Sequence, residues 1–448
     1  VIGMSNVRLK SETQNEDYAT PEATDKANQN YGTIDVTTTN GAATYGIYAK
    51  NTNVLNDKNG KITINSAGVA AHGIYSNKSI YNNGSITVNQ SYFKDSYIQS
   101  GIYLEENENS NGVETVYNKG NISLRMPSNV TVPDYNIPFS ASGYGIYSTG
   151  NVQNSGNIDI TNGTLASSAY GIFSKIPNQS TNTGRITVKG GANYGLINVN
   201  NGVGGYINLA PTYFKDNNGL DEARGTGMAS YRPNSYSNDI TINLVNGSAS
   251  TPATSVNDTT KGYITVVGNG ANKSPTIFGP YFRPTLIGIS GEDNTNIYNY
   301  GVISMQGSSI AGIYNGASGK IYNYGYININ ANYSTAAGIL SESDDVEIYN
   351  EKEIIITAST TFANRYWYGI AGGNITNNGN LTMNIMNGYS AIAMTSGINN
   401  GNITVSLADK TNADGIRGAG INNGNIKING GLNVNGMFVS QDLTSGEI

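Results

Sequence analysis

Apolar and polar residues alternate with a period of two in many short segments of this chain. Ile62–Ile64, Ile86–Val88 and Ile186–Val188 each place two apolar side chains on one face and a threonine on the other. This alternation is typical of β-strands with one buried face. Runs rich in Asn and Gly follow these segments, and a helix would not tolerate them. The pattern predicts short strands joined by tight turns.

Two short phrases recur along the chain and alternate with each other. The first is Gly-Ile-Tyr or a close relative, often preceded by an aromatic residue, as at Tyr45–Tyr48 and Tyr144–Tyr147. The second is Asn-x-Gly-x-Ile-x-apolar, as at Asn154–Ile160 and Asn182–Val188. At its shortest, the spacing between copies is in the low twenties of residues, a period typical of stacked solenoid coils. Weaker copies of the second phrase lie at Gly60, Gly205, Asp239, Gly262 and Glu353.

These repeats predict an all-β fold, a parallel β-helix of about fifteen coils that forms a single unit over residues 1–448. Stacked coils would place Ile on Ile inside the rod and Asn on Asn at the turn, where the amides can form a hydrogen-bonded ladder. The glycine two residues after the Asn is expected at a turn position with positive φ. Leu is too sparse for a leucine-rich repeat, and a single Trp does not suit a β-propeller.

The tyrosines after Gly-Ile are expected to point away from the core and form an external aromatic stripe. Stacking for stability is the favoured role of this stripe, with a ligand-binding track as the alternative. Its members are Tyr48, Tyr75, Tyr103, Tyr147 and Tyr314. His72, the one histidine, occupies the slot that Tyr45 and Tyr144 fill in other coils, so it is predicted to stack rather than to catalyse or bind metal.

Composition narrows the function. The net charge is −6 and no basic run is visible, which disfavours nucleic acid as a partner. The chain has no cysteine and one histidine, so it offers little material for a disulfide, a zinc site or a Ser-His-Asp triad. No segment approaches the roughly 18–20 consecutive apolar residues of a membrane span. No cofactor is expected.

The alternating Gly-Ile-Tyr and Asn-x-Gly-x-Ile phrases resemble the passenger region of Gram-negative autotransporter (type V) adhesins. The resemblance covers nearly the whole chain and is closest to large, Asn/Ile/Tyr-rich passengers for co-aggregation and host-cell attachment. It implies a right-handed β-helix that is extracellular and anchored to the bacterial outer membrane through a translocator barrel. Because Gly436–Val439 still resembles a first phrase, the chain is expected to be part of a longer rod.

Departures from the repeat are where function can be inserted. Five interruptions stand out, at about residues 90–99, 125–142, 211–238, 267–287 and 358–367. Three carry a Tyr-Phe phrase with a basic residue, which begins at Tyr92, Tyr213 or Tyr281, and the last carries Arg365–Tyr368. Aromatic side chains beside Arg or Lys can engage a protein or a glycan by stacking and cation–π contact, and they can equally cover the flank of the rod. The candidate contact residues are Tyr213, Phe214, Lys215, Asp216, Tyr281, Phe282, Arg283, Arg365, Tyr366 and Trp367.

Three hypotheses follow. The leading one is a non-enzymatic adhesin segment whose loops contact a host receptor protein, a glycan or another bacterial surface. The second is a structural spacer or self-associating stalk. The third, a polysaccharide lyase or glycosidase, would need clustered carboxylates, whereas the adjacent Asp344 and Asp345 lie in a stretch predicted as a turn.

Overall fold

The structure is a computed structural model, and its described residues form a stack of coils. It describes residues 28–39, 43–91, 98–106, 113–127, 142–163, 168–215, 221–232, 240–268, 277–278, 281–282, 284–332, 335–359, 366–387, 389–408 and 411–439, with the backbone alone at 213–215, 221–222, 277–278 and 281–282. They contain three parallel sheets of 14 strands each, and the chain visits the sheets in turn. The predicted all-β parallel β-helix is therefore confirmed, with fourteen coils in these residues.

Each coil contributes one strand to each sheet, in the order sheet 1, sheet 2, sheet 3. The strands of sheet 1 are Asn28–Asn30, Val54–Asn56, Ile80–Asn82, Thr115–Asn118, Asn151–Asn154, Ser180–Asn182, Val199–Asn201, Ile242–Asn246, Thr295–Asn299, Gly319–Asn323, Val346–Asn350, Asn374–Asn377, Gly397–Asn399 and Gly420–Asn422. Those of sheet 2 are Thr33–Thr38, Lys61–Ser66, Ser85–Gln90, Asn121–Arg125, Asn157–Thr161, Arg185–Lys189, Tyr206–Ala210, Tyr263–Val267, Val302–Gly307, Tyr326–Ala331, Glu353–Ala358, Asn380–Ile385, Asn402–Leu407 and Asn425–Asn429.

Sheet 3 and two short hairpins complete the strands. Those of sheet 3 are Ala43–Ala49, Ala70–Ser76, Ile98–Leu104, Ser142–Ser148, Ser168–Ser174, Ala192–Ile197, Gly225–Ala229, Leu286–Gly291, Ile310–Asn315, Ala336–Ser341, Tyr366–Ala371, Ser390–Met394, Asn412–Arg417 and Val434–Phe438. The antiparallel hairpins pair Tyr213–Lys215 with Asp221–Ala223, and Ile277–Phe278 with Tyr281–Phe282. No helix in the described part of the chain has the length and apolar character needed to cross a membrane.

The described residues contain fourteen coils where the sequence predicts about fifteen, because the weak copy at Asp239 does not begin a coil of its own. The segment after it, Ile242–Asn246, pairs in sheet 1 between Val199–Asn201 and Thr295–Asn299. The Ile240–Ile242 segment therefore leads into the sheet 1 strand of the coil whose sheet 2 strand is Tyr263–Val267. Alternation predicts a strand here, but it does not tell which of three sheets the strand joins.

The core is a set of aligned side-chain rows. In sheet 2, Ile62 pairs with Ile86 in the next coil, and Ile86 pairs with Ile122. Each of these three isoleucines is at most 1% exposed. Burying such a side chain contributes roughly 1.5–3 kcal/mol. The predicted stacking of Ile on Ile is confirmed.

An uninterrupted ladder of asparagines runs up the corner between sheets 1 and 2. Every strand of sheet 1 ends in an Asn, and the Nδ2 of each donates to the Oδ1 of the next at 2.6 to 3.0 Å. All but the last of these residues are buried. The members of this asparagine ladder are Asn30, Asn56, Asn82, Asn118, Asn154, Asn182, Asn201, Asn246, Asn299, Asn323, Asn350, Asn377, Asn399 and Asn422. The predicted amide ladder is confirmed, and its bonds all run in one direction.

The glycines of the second phrase are predicted to adopt a positive φ, but the structure gives most of them a different role. Of the second-phrase glycines in the described residues, Gly262 alone has a positive φ, 82°. A Cβ at Gly120 would instead overlap the carbonyl oxygen of Gly84 in the coil below, and a Cβ at Gly156 would overlap that of Gly120. Close stacking of consecutive turns, rather than a left-handed backbone, therefore requires glycine here.

Candidate functional site

All five predicted interruptions start at the same position in their coils. Each begins after a strand of sheet 2 and leads to a strand of sheet 3, and the third also extends beyond the sheet 3 strand Gly225–Ala229. We call this corner, where the strands of sheet 2 end and those of sheet 3 begin, the insertion edge. The strand ends that flank the interruptions therefore lie along one corner of the stack, although they are far apart in the sequence.

Two of the three Tyr-Phe phrases take up the same local structure at the insertion edge. Tyr213–Lys215 and Tyr281–Phe282 are each one strand of an antiparallel hairpin. Backbone pairing of this kind gives the phrase a fixed strand partner within its own interruption. Tyr92, Asp216, Arg283 and Arg365 lie outside the described residues.

Trp367 lies inside the rod. Its side chain is fully buried, and in sheet 3 it pairs between Ala336 and Ala391 of the adjacent coils. These small neighbours leave room for the indole ring. Its burial removes Trp367 from the candidate contact residues. The sequence contains the signal: Trp367 stands two residues before Gly369, the slot that the buried Ala71 fills before Gly73.

Tyr366 points outward and lines a cleft on the outer face of sheet 3. The cleft has a volume of about 420 Å³ and is lined by Tyr366, Tyr389, Ser390, Asn412, Arg417, Gly418 and Phe438. Three of these residues form one column, because Tyr366 pairs with Ser390 and Ser390 pairs with Asn412. We call it the sheet 3 cleft. It begins at the insertion edge with Tyr366, at the end of the fifth interruption.

An ion pair forms one wall of the sheet 3 cleft. Arg417 donates from Nε to Asp414 Oδ2 at 2.6 Å, and its Nη2 lies 2.5 Å from the same oxygen. Nη2 also donates to Ser390 Oγ at 3.1 Å, and Asn435 Nδ2 donates to Asp414 Oδ1 at 2.9 Å. Asp414 is 3% exposed. The Arg417 charge is therefore held in place and balanced within the protein.

The rings of the aromatic stripe pack differently from those of the sheet 3 cleft. Tyr48, Tyr75, Tyr103 and Tyr147 stack face to face along sheet 3, with ring centroids 4.5 to 5.3 Å apart and interplanar angles of 3 to 15°. The predicted stripe is confirmed for these four. Tyr314 stands apart, because its neighbours in register are Ser290 and Leu340. Stacked rings cover each other's faces, so they present mainly edges and hydroxyl groups to solvent.

The sheet 3 cleft interrupts that arrangement. The rings of Tyr366 and Tyr389 lie 5.5 Å apart at 74°, and Tyr389 is 45% exposed. The T-shaped contact leaves the ring face of Tyr389 without a parallel neighbour among the described residues, whereas Tyr366 stacks on Tyr368 at 6.2 Å and 19°. The cleft thus combines accessible aromatic surface with fixed polar groups. Sequence reasoning missed Tyr389, Asn412, Asp414 and Arg417; the available signal was that Asp414 and Arg417 occupy slots that hold aromatic residues in early coils.

His72 has the stacking role predicted for it. Its ring lies 5.4 Å from that of Tyr45 at 21°, and its Nδ1 lies 2.8 Å from Ser100 Oγ. Burial lowers the pKa of His72 to about 4. The ring is therefore neutral at pH 7, and it stacks on Tyr45 in the same way as an aromatic side chain would.

The adjacent carboxylates of Asp344 and Asp345 lie between the strands Ala336–Ser341 of sheet 3 and Val346–Asn350 of sheet 1. Asp345 belongs to the predicted turn, where its backbone N–H donates to Ser343 Oγ. Burial raises the pKa of Glu292, which lies beside Arg232 and Asp293 at the corner between sheets 3 and 1, away from the sheet 3 cleft. No group of three His, Cys, Asp or Glu side chains in the described part of the chain could hold a metal ion.

Comparison of the chain with protein-family models, with curated proteins and with solved structures found no match in any of the three.

Proposed function

We propose that this chain is an adhesin segment, a surface-exposed rod that binds its partner along the insertion edge and the adjoining outer face of sheet 3. The observation that carries the proposal is the position of the five interruptions at one corner. The other two corners are mostly short turns between strands, as at Asn154–Asn157 between sheets 1 and 2 and at Ser148–Asn151 between sheets 3 and 1. Irregular segments that a regular scaffold aligns are a common way to build a binding surface.

The partner is a host receptor protein, a glycan or the surface of a neighbouring cell. Support comes from the aromatic and polar residues of the sheet 3 cleft, which adjoins the fifth interruption. The proposed location is the exterior of a Gram-negative cell with attachment to the outer membrane, and its support is the resemblance of the repeat to autotransporter passengers. The chain acts by binding rather than by catalysis.

A spacer or self-associating stalk is the second candidate. The asparagine ladder favours it, since thirteen consecutive hydrogen bonds between side-chain amides connect the described coils along the axis. A spacer needs this stiffness and needs no ligand. Self-association in the absence of any other partner would favour the stalk.

The test is binding of the purified chain to a glycan array and to intact host and bacterial cells. Two variants replace residues 92–97 or 360–365 of the insertion edge with Gly/Ser of equal length. A matched control replaces 107–112, six residues between Ile98–Leu104 of sheet 3 and Thr115–Asn118 of sheet 1. We expect binding to fall by about tenfold or more in at least one edge variant and to persist in the control. No binding to any array or cell, or equal binding by all variants, would reject the edge as the adhesive surface.

A further inference from the structure

We infer that the sheet 3 cleft is a binding site for a neutral saccharide. This inference rests on the proposed function, and it adds the site and the chemical class of the ligand. The cleft volume of about 420 Å³ lies within the range of roughly 300–1,000 Å³ that is usual for small-molecule sites. Its lining joins accessible aromatic rings to polar groups that the protein holds in place.

The electrostatics of the cleft favour a ligand without charge. Arg417 is the basic residue of the lining, and Asp414 engages it through both Nε and Nη2. A carboxylate or phosphate ligand would have to compete with Asp414 for the guanidinium. A cationic ligand would meet Arg417 itself at the cleft surface, while Asp414 is buried behind it. The pair therefore serves as a rigid polar wall rather than as a charge receptor.

The remaining hydrogen-bonding capacity of the wall consists of donors. Asn412 Oδ1 accepts from Asn433 Nδ2 at 3.0 Å, which leaves the Asn412 Nδ2 group without a partner among the described residues. Ser390 Oγ accepts from Arg417 Nη2, and because Ser390 is 1% exposed it fixes the guanidinium rather than facing a ligand, whereas Arg417 Nη1 remains available. Two donors fixed by neighbouring bonds suit a ligand that offers oxygen acceptors. The hydroxyl and ring oxygens of a sugar fit this requirement.

Aromatic rings supply the other part of saccharide recognition. Tyr389 is 45% exposed and lines the same cleft as these donors. The apolar C–H face of a pyranose packs on such a ring, while its hydroxyl groups reach the polar wall. The tyrosines of the stacked stripe lack this combination, because parallel neighbours cover their ring faces.

The test measures affinity for neutral and sialylated oligosaccharides, first on an array and then by calorimetry with the best neutral binder. Tyr389→Ala removes the ring, and Tyr389→Leu keeps apolar bulk without it. The control is Tyr31→Ala, since Tyr31 is 46% exposed and lies outside the cleft, in the first coil. Circular dichroism and thermal melting confirm that each variant folds.

We expect at least a tenfold loss of affinity for the neutral glycan in both Tyr389 variants and no change in Tyr31→Ala. Neutral-glycan binding that is unchanged in the Tyr389 variants would overturn the assignment of this cleft. Binding to sialylated glycans alone would overturn the ligand class. If cells are bound but no glycan is, the saccharide inference fails while the adhesin function stands; if neither is bound, both fail.

Discussion

The Nδ2 group of Asn323 donates to Oδ1 of Asn350 at 2.8 Å in the interior of the rod. Asn323 in turn accepts from Asn299 at 2.8 Å, so its amide is both a donor and an acceptor within the asparagine ladder. A buried residue in this position must supply both functions. Asn does so, whereas the nearly isosteric carboxylate of Asp can only accept.

Asn323→Asp should therefore destabilise the rod by about 2–4 kcal/mol at pH 7, because it places a buried carboxylate oxygen against Asn350 Oδ1. The control is Asn402→Asp. Asn402 lies in a second row of hydrogen-bonded asparagines that is exposed to solvent, where it donates to Asn380 and accepts from Asn425. That change should cost no more than about 0.5 kcal/mol. Urea unfolding measures both, and equal destabilisation of the two variants would contradict the role of the buried ladder.

Gly120→Ala should separate two coils, because the new Cβ overlaps the carbonyl oxygen of Gly84. We expect a cost of about 2 kcal/mol or more, by analogy with other overpacked sites. Gly32 offers a matched control, since it follows the ladder in the first described coil and a methyl group added there would meet no atom of the described residues within 4 Å. Gly32→Ala should leave the unfolding midpoint nearly unchanged. A large loss in Gly32→Ala would indicate a requirement for backbone conformation instead.

His72 should make folding stability depend on pH between about 6.5 and 4. Burial lowers its pKa in the folded state to about 4, so the unfolded chain binds a proton first as the pH falls. The stabilisation is complete above about pH 6.5, and roughly 3 kcal/mol is lost by pH 4. His72→Tyr, which restores the residue of other coils, should reduce the slope of stability against pH in this window. Equal slopes for parent and variant would reject a buried neutral His72.

Trp367 should show the blue-shifted fluorescence of a buried indole, and its emission should move to longer wavelength on unfolding. As the only tryptophan, it reports on one coil without interference. Trp367→Ala should cost about 3–5 kcal/mol, because Ala336 and Ala391 cannot fill the space. Native emission at the wavelength of a solvated indole would contradict its placement in the core.

The sequence predicts the scaffold well because one coil repeats its physical constraints many times. Alternation identifies the sheet 2 strands, and the recurring Asn predicts the ladder that passes through Asn154 and Asn182. The sequence predicts a positive φ at glycines such as Gly120, and this prediction is wrong. Glycine is required there because a Cβ would overlap Gly84 O in the neighbouring coil, and the sequence does not show that contact. The sheet 3 cleft is beyond sequence reasoning, since Tyr366, Ser390, Asn412 and Phe438 come from four different coils. Only the stacking register brings them to one face.

The interruptions of the insertion edge occur in coils 3 and 4, then 7 and 8, and then 11, counted along the stack. With about 4.8 Å between neighbouring coils, the first coils of successive groups are separated by roughly 19 Å. A partner that repeats its epitopes at a similar distance, such as a polysaccharide or a dense cell coat, would engage two groups at once. The second contact is then intramolecular and forms at a high effective concentration. Weak individual contacts along one edge of a stiff rod can in this way produce strong avidity.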